Sequence, residues 1–401
     1  MAKNKTIPKC PPLRFPQFND EWKQTMLGEI GTYIRGLTYN SDDVQGSGYI
    51  VVRANNITEG KAINFDNELV QVRVPPSTQQ MLMVNDIAIC MANGSSHLVG
   101  KASYYNGNAS GVCTVGAFCG IFRSTNPLTR WFFQTSIYNR YIYQSIQGGD
   151  GAIANLKGED ILKQIYSLPS LAEQEKIASF LSLIDERIQS CSETIKEIKT
   201  LKAGLLSLRV YQADKQYVPL SYFGEMKHGY PFKSTSYDED GTHRIVTISN
   251  VSGARYADMS KCNYLAELPH DIQQHQILSR NDILISLTGN VGRVSFCLAD
   301  GDLLNQRVGV LSLCDEAYKE YIYQVLSDWR FEMSMVACGQ GAAQLNISKS
   351  NVEGYLVPYE QSEYQEIGNF FSLLDDRIEI EEELLKQYEM QKKYLLRQMF
   401  I

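Results

Sequence analysis

With 401 residues, 21% of them charged and 44% hydrophobic, the chain has room for two or three domains of about 150 residues and an ordinary globular composition. This excludes general disorder and fibrous classes, and the formal net charge of −7 argues against a nonspecific nucleic-acid coating protein. Nine scattered cysteines, an N-terminus unlike a leader and no apolar run of about 18 residues predict a cytoplasmic protein that does not span a membrane.

Residues 1–158 are predicted to form a globular domain behind a basic N-terminal arm. The arm, residues 1–19, contains four basic and no acidic residues. Residues 20–158 alternate short β-branched and aromatic runs, such as YIVV at 49–52, with Gly, Asn and Asp. This texture is typical of short strands joined by turns, so a mixed, strand-rich α+β domain is expected.

A first spacer helix is predicted within residues 159–214. After Pro169, apolar residues recur at spacings of mostly four and three over about four heptads, with Lys and Glu on the other faces. The positions of this seam are Ile177, Leu181, Ile184, Ile188, Cys191, Ile195, Ile198, Leu201, Leu205 and Leu208. So narrow a stripe favours a partner helix over a globular core. Residues 177–208 would span about 47 Å at about 1.5 Å per residue.

The second half of the chain repeats this plan. Residues 215–355 have the same strand-rich texture, and residues 356–401 echo the helix. The echoed seam positions are Ile367, Phe371, Leu374 and Ile378, after which Glu381 interrupts the stripe. The two helices are predicted to pair as an antiparallel coiled coil about a pseudo-twofold axis, forming a rigid spacer between two similar domains.

Short segments recur in the same order at an offset of 190–196 residues, which indicates a duplicated domain pair. The clearest pairs are Leu27-Gly28-Glu29 with Phe223-Gly224-Glu225, Asn85-Asp86-Ile87 with Asn281-Asp282-Ile283, Ala154-Asn155-Leu156 with Leu345-Asn346-Ile347, and Ile184-Asp185-Glu186 with Leu374-Asp375-Asp376.

The sequence lacks the motifs of common catalytic sites. Gly94 to Lys101 fails the phosphate-loop spacing, and the five histidines form no ligand cluster. The E-x-K segments at 59–61, 197–199 and 225–227 lack a preceding Pro-Asp, and no N-P-P-Y/F or D-P-P-Y/F methyltransferase tetrapeptide is present. We therefore predict a protein without a catalytic site or a metal.

Two similar domains on a rigid spacer can read two features at a fixed separation, as double-stranded DNA offers every helical turn of about 34 Å. Polar and basic residues, which can read base edges, occupy matching turns in both copies. The DNA-binding candidates are Arg35, Arg53, Asn55, Lys61, Ser95, Lys101, His228, Lys233, Arg244, Asn250, Thr288, Asn290 and Arg293. For any one of them, an ordinary role in a surface turn is the alternative.

The whole chain resembles a specificity subunit of a type I restriction–modification enzyme. The resemblance rests on LRFPQF at 13–18 with Trp22, LGEI at 27–30, LPSLAEQEKI at 168–177, NQRV at 305–308 and GAAQLNIS at 341–348. It implies two target recognition domains, each reading one half of a split DNA sequence, with the helices setting the gap.

The resemblance also implies partners. Two modification subunits would dock on the helices, bind S-adenosylmethionine and methylate adenine, and ATP- and magnesium-dependent restriction subunits would join them. This chain would hold no cofactor and catalyse nothing. Because its net charge is −7, tight DNA binding is expected to need the partner subunits.

Two other interpretations remain open from the sequence. One is a duplicated coiled-coil scaffold that binds proteins and not DNA. The other is a fragment of a fused restriction–methylation enzyme, against which the short length and the missing tetrapeptide argue.

Overall fold

The computed structural model describes residues 10–146, 154–212, 215–339, 345–359 and 361–401. Residues 1–9 of the predicted basic arm and the GAAQ segment at 341–344 lie outside the described residues. The chain divides into two compact units. Unit 1 comprises Met1–Ser190 with Leu385–Ile401, and unit 2 comprises Cys191–Leu384. No helix in the described ranges is both long and apolar enough to cross a bilayer.

Unit 1 contains twelve described strands and four short helices before a long helix begins. The strands are β1 (Lys23–Met26), β2 (Gly31–Arg35), β3 (Val44–Gln45), β4 (Tyr49–Val52), β5 (Val70–Val72), β6 (Ile87–Cys90), β7 (Ala92–Asn93), β8 (Ala102–Tyr104), β9 (Cys113–Val115), β10 (Cys119–Ser124), β11 (Ala154–Asn155) and β12 (Ile165–Leu168). The helices are α1 (Leu27–Ile30), α2 (Thr129–Phe132), α3 (Ser136–Ile146), α4 (Gly158–Leu162) and the long α5 (Leu171–Arg209).

The central sheet of unit 1 has the order β2-β10-β6-β8 and is antiparallel throughout. Its strand β6 is buried at every residue because both faces of the sheet are covered. Ile87 and Ile89 face the core formed with α2, α3 and α5, whereas Ala88 and Cys90 face a second sheet of order β3-β5-β4-β9. A continuous apolar run is what a strand buried on both faces requires.

Unit 2 contains nine described strands and a second long helix. The strands are β13 (Gln216–Pro219), β14 (Gly224–His228), β15 (His243–Val246), β16 (Asn263–Leu265), β17 (Ile283–Ser286), β18 (Val294–Phe296), β19 (Leu303–Leu304), β20 (Val308–Leu313) and β21 (Leu356–Tyr359). The helices are α6 (Lys319–Leu326), α7 (Trp329–Cys338), α8 (Lys349–Glu353) and the long α9 (Tyr364–Gln398).

The central sheet of unit 2 repeats that of unit 1 strand for strand, with the order β14-β20-β17-β18. Ile283 and Ile285 of β17 face the core with the helices, and Leu284 faces the second core. The second sheet, β16-β15-β19, keeps the parallel pair β15–β19, which corresponds to β4–β9. The duplication and the mixed α+β class predicted from the sequence are confirmed.

The repeated Asn-Asp-Ile motif forms the same turn in both units. Asn85 and Asn281 adopt positive φ values of 73° and 66°, a conformation that asparagine tolerates better than most residues. The side chain of the aspartate that follows accepts a hydrogen bond from the backbone N–H of the residue three positions earlier. The distance is 2.7 Å for Asp86 and 2.8 Å for Asp282. The motif therefore starts β6 and β17 in the same geometry.

In unit 1, the first half of α5 packs on the globular core and on the end of α9. Ile177, Leu181 and Ile184 join one apolar cluster with Leu395 and Phe400. Beside this cluster, the Asp185 carboxylate accepts a hydrogen bond from Trp131 Nε1 at 3.1 Å. The same carboxylate pairs with Arg130 at 2.8 Å and with Lys392 of α9 at 2.7 Å. We call these groups the Asp185 cluster.

In unit 2, the second half of α5 lies antiparallel to the first half of α9. Lys199 pairs with Glu382 at 2.7 Å, whereas Lys202, further along α5, pairs with Asp375, which comes earlier on α9. Asp375 also pairs with Arg255 at 3.0 Å and accepts a hydrogen bond from Gln324 Nε2 at 2.7 Å. We call these groups the Asp375 cluster.

Twelve of the fourteen predicted seam positions are buried or half-buried: Ile177, Leu181, Ile184, Ile188, Cys191, Ile195, Ile198, Leu205, Ile367, Phe371, Leu374 and Ile378. Several of them contact globular cores as well as a helix, so the stripe does not serve a partner helix alone.

The heptad count was wrong near the end of α5, where Leu201 and Leu208 are 53% and 68% exposed. The buried face runs instead through Ile195, the stem of Lys202 and Leu206. A helix of 3.6 residues per turn drifts away from a strict 3.5-residue repeat. The Asp375 carboxylate holds Lys202 on the inner face.

Candidate nucleic-acid interface

Three neighbouring strands of the central sheet of unit 2 place polar side chains at one edge. His228 ends β14, Thr288 follows β17, and Arg307 immediately precedes β20. Backbone hydrogen bonds tie these segments together, from Leu287 N to Arg307 O at 2.9 Å and from Ile347 N to Leu287 O at 3.0 Å. We call this region edge 2.

Edge 2 borders an open groove in which most of the lining side chains are polar. The lining residues are His228, Leu287, Thr288, Gln306, Arg307, Asn346, Ile347, Ser348, Lys349, Ser350 and Glu353. Thr288 Oγ1 donates to Asn346 Oδ1 at 3.0 Å. Hydroxyl, amide and guanidinium groups at one edge can hydrogen-bond to base edges and to phosphates.

Part of the positive charge at edge 2 is neutralised locally. Lys349 pairs with Glu225 and, at 3.6 Å, with Glu353. The hydrogen bond between Lys349 and Glu225 raises the pKa of the lysine and lowers the pKa of the carboxylate. Arg307 and His228 are exposed, so they are the groups best placed to meet a polyanion.

The corresponding region of unit 1, edge 1, is built from the same segments. Arg35 ends β2, Ala92 lies just after β6, and Phe118 immediately precedes β10. The backbone bonds match those of edge 2, from Met91 N to Phe118 O at 2.8 Å and from Leu156 N to Met91 O at 2.8 Å. Phe118 is 72% exposed, although phenylalanine is a residue that proteins usually bury.

A glycine follows the basic residue at both edges because a neighbouring segment of the backbone comes very close. A Cβ atom on Gly36 would lie 2.1 Å from the oxygen of Gly116, and one on Gly229 would lie 2.2 Å from the oxygen of Asn305. The close approach fixes the ends of β2 and β14, and with them Arg35 and His228.

Of the candidates chosen from the sequence, the structure places Arg35 at edge 1 and brings His228 and Thr288 together at edge 2. Lys233 and Asn290 are exposed but lie outside the lining of the groove. Ser95 and Lys101 are half-buried in the loop between β7 and β8.

Other candidates are held by ion pairs inside their own units. The pairs are Arg53–Glu68 at 3.8 Å, Lys61–Glu389 at 3.6 Å, Arg244–Asp302 at 2.8 Å and Arg293–Glu332 at 3.5 Å. Asp302 is buried, so Arg244 has a structural role. Lys61 is exposed and lies beside Glu389 of α9.

Asn250 is 1% exposed and makes its hydrogen bonds within its own loop. Its Oδ1 accepts from Thr247 N at 2.8 Å and its Nδ2 donates to Asp258 O at 2.8 Å. In this conformation it is not available to DNA. Asn56 makes the equivalent bond in unit 1, to Arg53 N at 3.0 Å. Asn55 is exposed, and its Nδ2 donates to Glu68 O at 3.3 Å.

The described part of the basic arm is also structural. Arg14 makes a two-pronged pair with Glu173, with both nitrogen–oxygen distances at 2.7 Å, and Glu173 is fully buried. The arm therefore anchors the start of α5.

The candidate list omitted four edge residues: Phe118, Arg307, Asn346 and Lys349. Arg307 lies in a segment quoted only for the family resemblance, whereas Asn346 also belongs to the repeated segment Leu345-Asn346-Ile347. Arg307 could have been found from its place directly before the apolar run of β20, and Asn346 from its place in a repeated segment. Phe118 gave no such signal, because an exposed phenylalanine and a core phenylalanine look alike in sequence. Within the described ranges, no three His, Cys, Asp or Glu side chains converge to hold a metal ion.

A family model described as the type I restriction modification DNA specificity domain matches residues 19–200 and again 213–390. The chain is 24% identical over 372 residues to the type I restriction enzyme EcoKI specificity subunit of Escherichia coli (strain K12), over 84% of this chain and 78% of that protein. It is 30% identical over 186 residues to the StySPI specificity subunit of Salmonella potsdam, over 44% and 39%.

The crystal structure of a type I restriction-modification S subunit from M. genitalium has a similar fold. Its TM-score is 0.61 at 16% identity, and the alignment covers 98% of this chain and 99% of that one. At this identity the likeness concerns the fold alone.

Proposed function

The chain belongs to the type I restriction–modification DNA specificity family, and from this we propose that its two recognition domains, residues 1–158 and 215–355, each read one half of a bipartite DNA target. The chain is the specificity subunit and not a catalytic one. The observation that carries the proposal is the pair of edges, where one fold presents different side chains at equivalent positions. A duplicated reader with different contact residues suits two different half-sites.

The partners proposed are double-stranded DNA, two adenine methyltransferase subunits and the restriction subunits that translocate DNA. S-adenosylmethionine would be bound by the methyltransferase subunits, and ATP and magnesium by the restriction subunits. The family is itself free of cofactors. A protein that acts on chromosomal DNA with these partners would work in the cytoplasm.

Two equivalent exposed leucines support a pair of identical docking sites. Leu183 of α5 is 58% exposed, and Leu373, its counterpart on α9 at an offset of 190, is 67% exposed. The next turn of each helix carries an exposed arginine, Arg187 or Arg377. A repeated surface suits two copies of one partner, and exposed leucines beside charged residues are typical of a docking surface.

The isolated chain is expected to bind DNA weakly at physiological salt. Its net charge is −7, and the acidic excess is concentrated after residue 158. Since phosphate contacts supply much of the affinity for DNA, the partner subunits would have to add basic surface. Tight, sequence-specific binding by the purified chain alone would contradict this point.

The function is tested by co-expressing the chain with its methyltransferase partner and mapping which genomic adenines become N6-methylated. We expect one motif with two specific halves and a fixed nonspecific gap. A complex that forms but gives no motif, and shows no salt-dependent DNA affinity, would favour the protein-binding scaffold.

A further inference from the structure

Phe118 and Arg307 occupy the same place in the two units but have opposite chemistry. Each residue directly precedes the last long strand of its central sheet. The carbonyl of each accepts the backbone bond from the residue after the central strand, Met91 in unit 1 and Leu287 in unit 2. The strand pairing agrees, because Gly120 lies opposite Arg35 and Gly309 lies opposite His228.

The exposure of Phe118 is not explained by packing. Its ring is 72% exposed, whereas the next residue, Cys119, is 2% exposed and belongs to the core. Leaving a phenylalanine in water forgoes the stabilisation that burial of the ring would give. Arg35, Asn155 and Lys157, in or next to the segments that adjoin Phe118, are also exposed. An apolar ring on a surface with such polar groups suits a ligand that is charged outside and apolar inside.

DNA is such a ligand. Its phosphates meet basic and polar groups, while the thymine methyl group and the faces of the bases offer apolar contacts. Phenylalanine makes both kinds of apolar contact in DNA-binding proteins. Arginine, at the equivalent position in unit 2, forms hydrogen bonds to guanine or to phosphate.

We propose that Phe118 is a specificity-determining residue that makes an apolar contact with a base in the half-site read by unit 1, where Arg307 makes a hydrogen-bonded contact in the half-site read by unit 2. This inference rests on the proposed function and adds a residue and a contact chemistry to it. The Phe118 contact in the half-site of unit 1 would be insensitive to salt. The Arg307 contact in the half-site of unit 2 would be sensitive to salt.

The test uses the complete complex with its methyltransferase subunits and four variants. Phe118→Ala and Arg307→Ala change the proposed contacts. Val84→Ala is the control for Phe118, because Val84 is an apolar residue that is 61% exposed. It lies before the start of β6, whereas edge 1 lies where β6 ends. Arg280→Ala is the control for Arg307, since Arg280 is exposed and precedes β17 in the same way.

Methylated motifs and the salt dependence of DNA binding are then measured. Phe118→Ala should relax one position of one half-site and weaken binding about 5- to 100-fold, without changing the slope of log affinity against log salt. Arg307→Ala should relax the other half-site and reduce the slope by about one. Both controls should keep the wild-type motif and slope.

A second arm identifies the apolar feature by replacing each thymine of the unit 1 half-site with deoxyuridine. If one replacement weakens binding by the wild-type complex but not by Phe118→Ala, the ring contacts that thymine methyl group. If no replacement matters while Phe118→Ala still relaxes the half-site, the ring contacts a base face.

A bipartite motif that Phe118→Ala leaves unchanged in sequence and affinity would overturn this inference. The absence of any bipartite motif with the wild-type chain would instead overturn the proposed function. The two failures are therefore distinguishable.

Discussion

Asp185 in unit 1 and Asp375 in unit 2 occupy equivalent turns of the two long helices, and each binds a lysine of the other helix and an arginine of its globular domain. The lysines are equivalent too, since Lys202 and Lys392 are also 190 residues apart. The arginines are not, because Arg130 lies on α2 and Arg255 lies in the loop between β15 and β16. The ion pair between the two helices is therefore the same in both units. The arginine that joins it comes from a different element of the globular domain in each unit.

The edges show the same division. The backbone hydrogen bonds that build the two edges agree in length within 0.2 Å. The side chains at equivalent positions nevertheless differ, since Phe118 and Arg35 of unit 1 correspond to Arg307 and His228 of unit 2. Buried turns and strand pairing maintain the frame, because any change there leaves polar groups unsatisfied or opens a cavity. Exposed strand ends are free of that constraint and can carry different contacts.

Removing either central carboxylate should have the largest effect on stability. Asp375→Ala leaves the partly buried Lys202 without its carboxylate, whereas Arg255 keeps Glu320 at 3.1 Å. Burial lowers the pKa of Lys202, and Asp375 opposes that shift. Breaking such a pair costs about 3–5 kcal/mol of unfolding free energy. Denaturant unfolding should show this loss for Asp375→Ala and a similar one for Asp185→Ala.

The exposed neighbour supplies the control for the aspartate variants, since Glu186→Gln should change the unfolding free energy by less than about 0.5 kcal/mol. Combining Asp375→Asn with Lys202→Met should cost less than the sum of the single changes, because the stranded charge is removed. Losses below 1 kcal/mol for both aspartates would mean that the clusters do not hold the helices to the domains.

Charge placed on the repeated leucines should separate the two docking sites. Leu373→Glu and Leu183→Glu should each weaken binding of one methyltransferase copy by about 2 kcal/mol or more, if the leucine lies at the centre of the interface. Native mass spectrometry should then show one copy retained by each single variant and none by the double variant. Glu379→Gln, an exposed change on α9, should keep both copies. Two copies retained by the double variant would place docking elsewhere.

The Asn-Asp turns should respond to substitution in the same way in both units. Asn85→Ala and Asn281→Ala force alanine into the left-handed region and should each cost about 1–2 kcal/mol in thermal or denaturant unfolding. Asn85→Gly and Asn281→Gly should cost less, because glycine adopts positive φ freely. Equal losses for alanine and glycine would show that the side chain, and not the backbone conformation, is what matters.

The effect expected to be smallest at neutral pH is a pH dependence that emerges only at alkaline pH. The backbone carbonyls of Tyr105 and Cys297 accept equivalent hydrogen bonds from the backbone N–H groups of Asn85 and Asn281, at 2.8 and 3.0 Å. Burial raises the pKa of the Tyr105 hydroxyl and of the Cys297 thiol to about 12. A raised pKa in the folded state stabilises the protein below the ordinary pKa, and this contribution is lost as the pH rises to about 12. Tyr105→Phe should therefore flatten the decline in stability between about pH 10 and 12, and Cys297→Ala that between about pH 9 and 12. An unchanged pH profile for both variants would contradict these assignments.

The sequence predicted what local patterns and repeats determine. The helix seam as far as Ile198, the repeated Asn-Asp-Ile segment and the two similar domains all depend on spacing along the chain, and the structure has each of them. The sequence did not predict which polar residues are exposed at the edges. Arg244 and Lys61 looked like free cations, but their partners Asp302 and Glu389 lie 58 and 328 residues away along the chain. No spacing rule connects residues so far apart, so only the folded contacts separate them from Arg35 and His228.

The most direct test of the account is a chain in which residues 20–158 are replaced by residues 215–355, so that both recognition domains are the second one. Co-expressed with the methyltransferase partner, this chimera should direct N6-adenine methylation to a symmetric motif made of two inverted copies of one wild-type half-site. A chimera that assembles and methylates but keeps the asymmetric wild-type motif would contradict the claim that each domain reads one half.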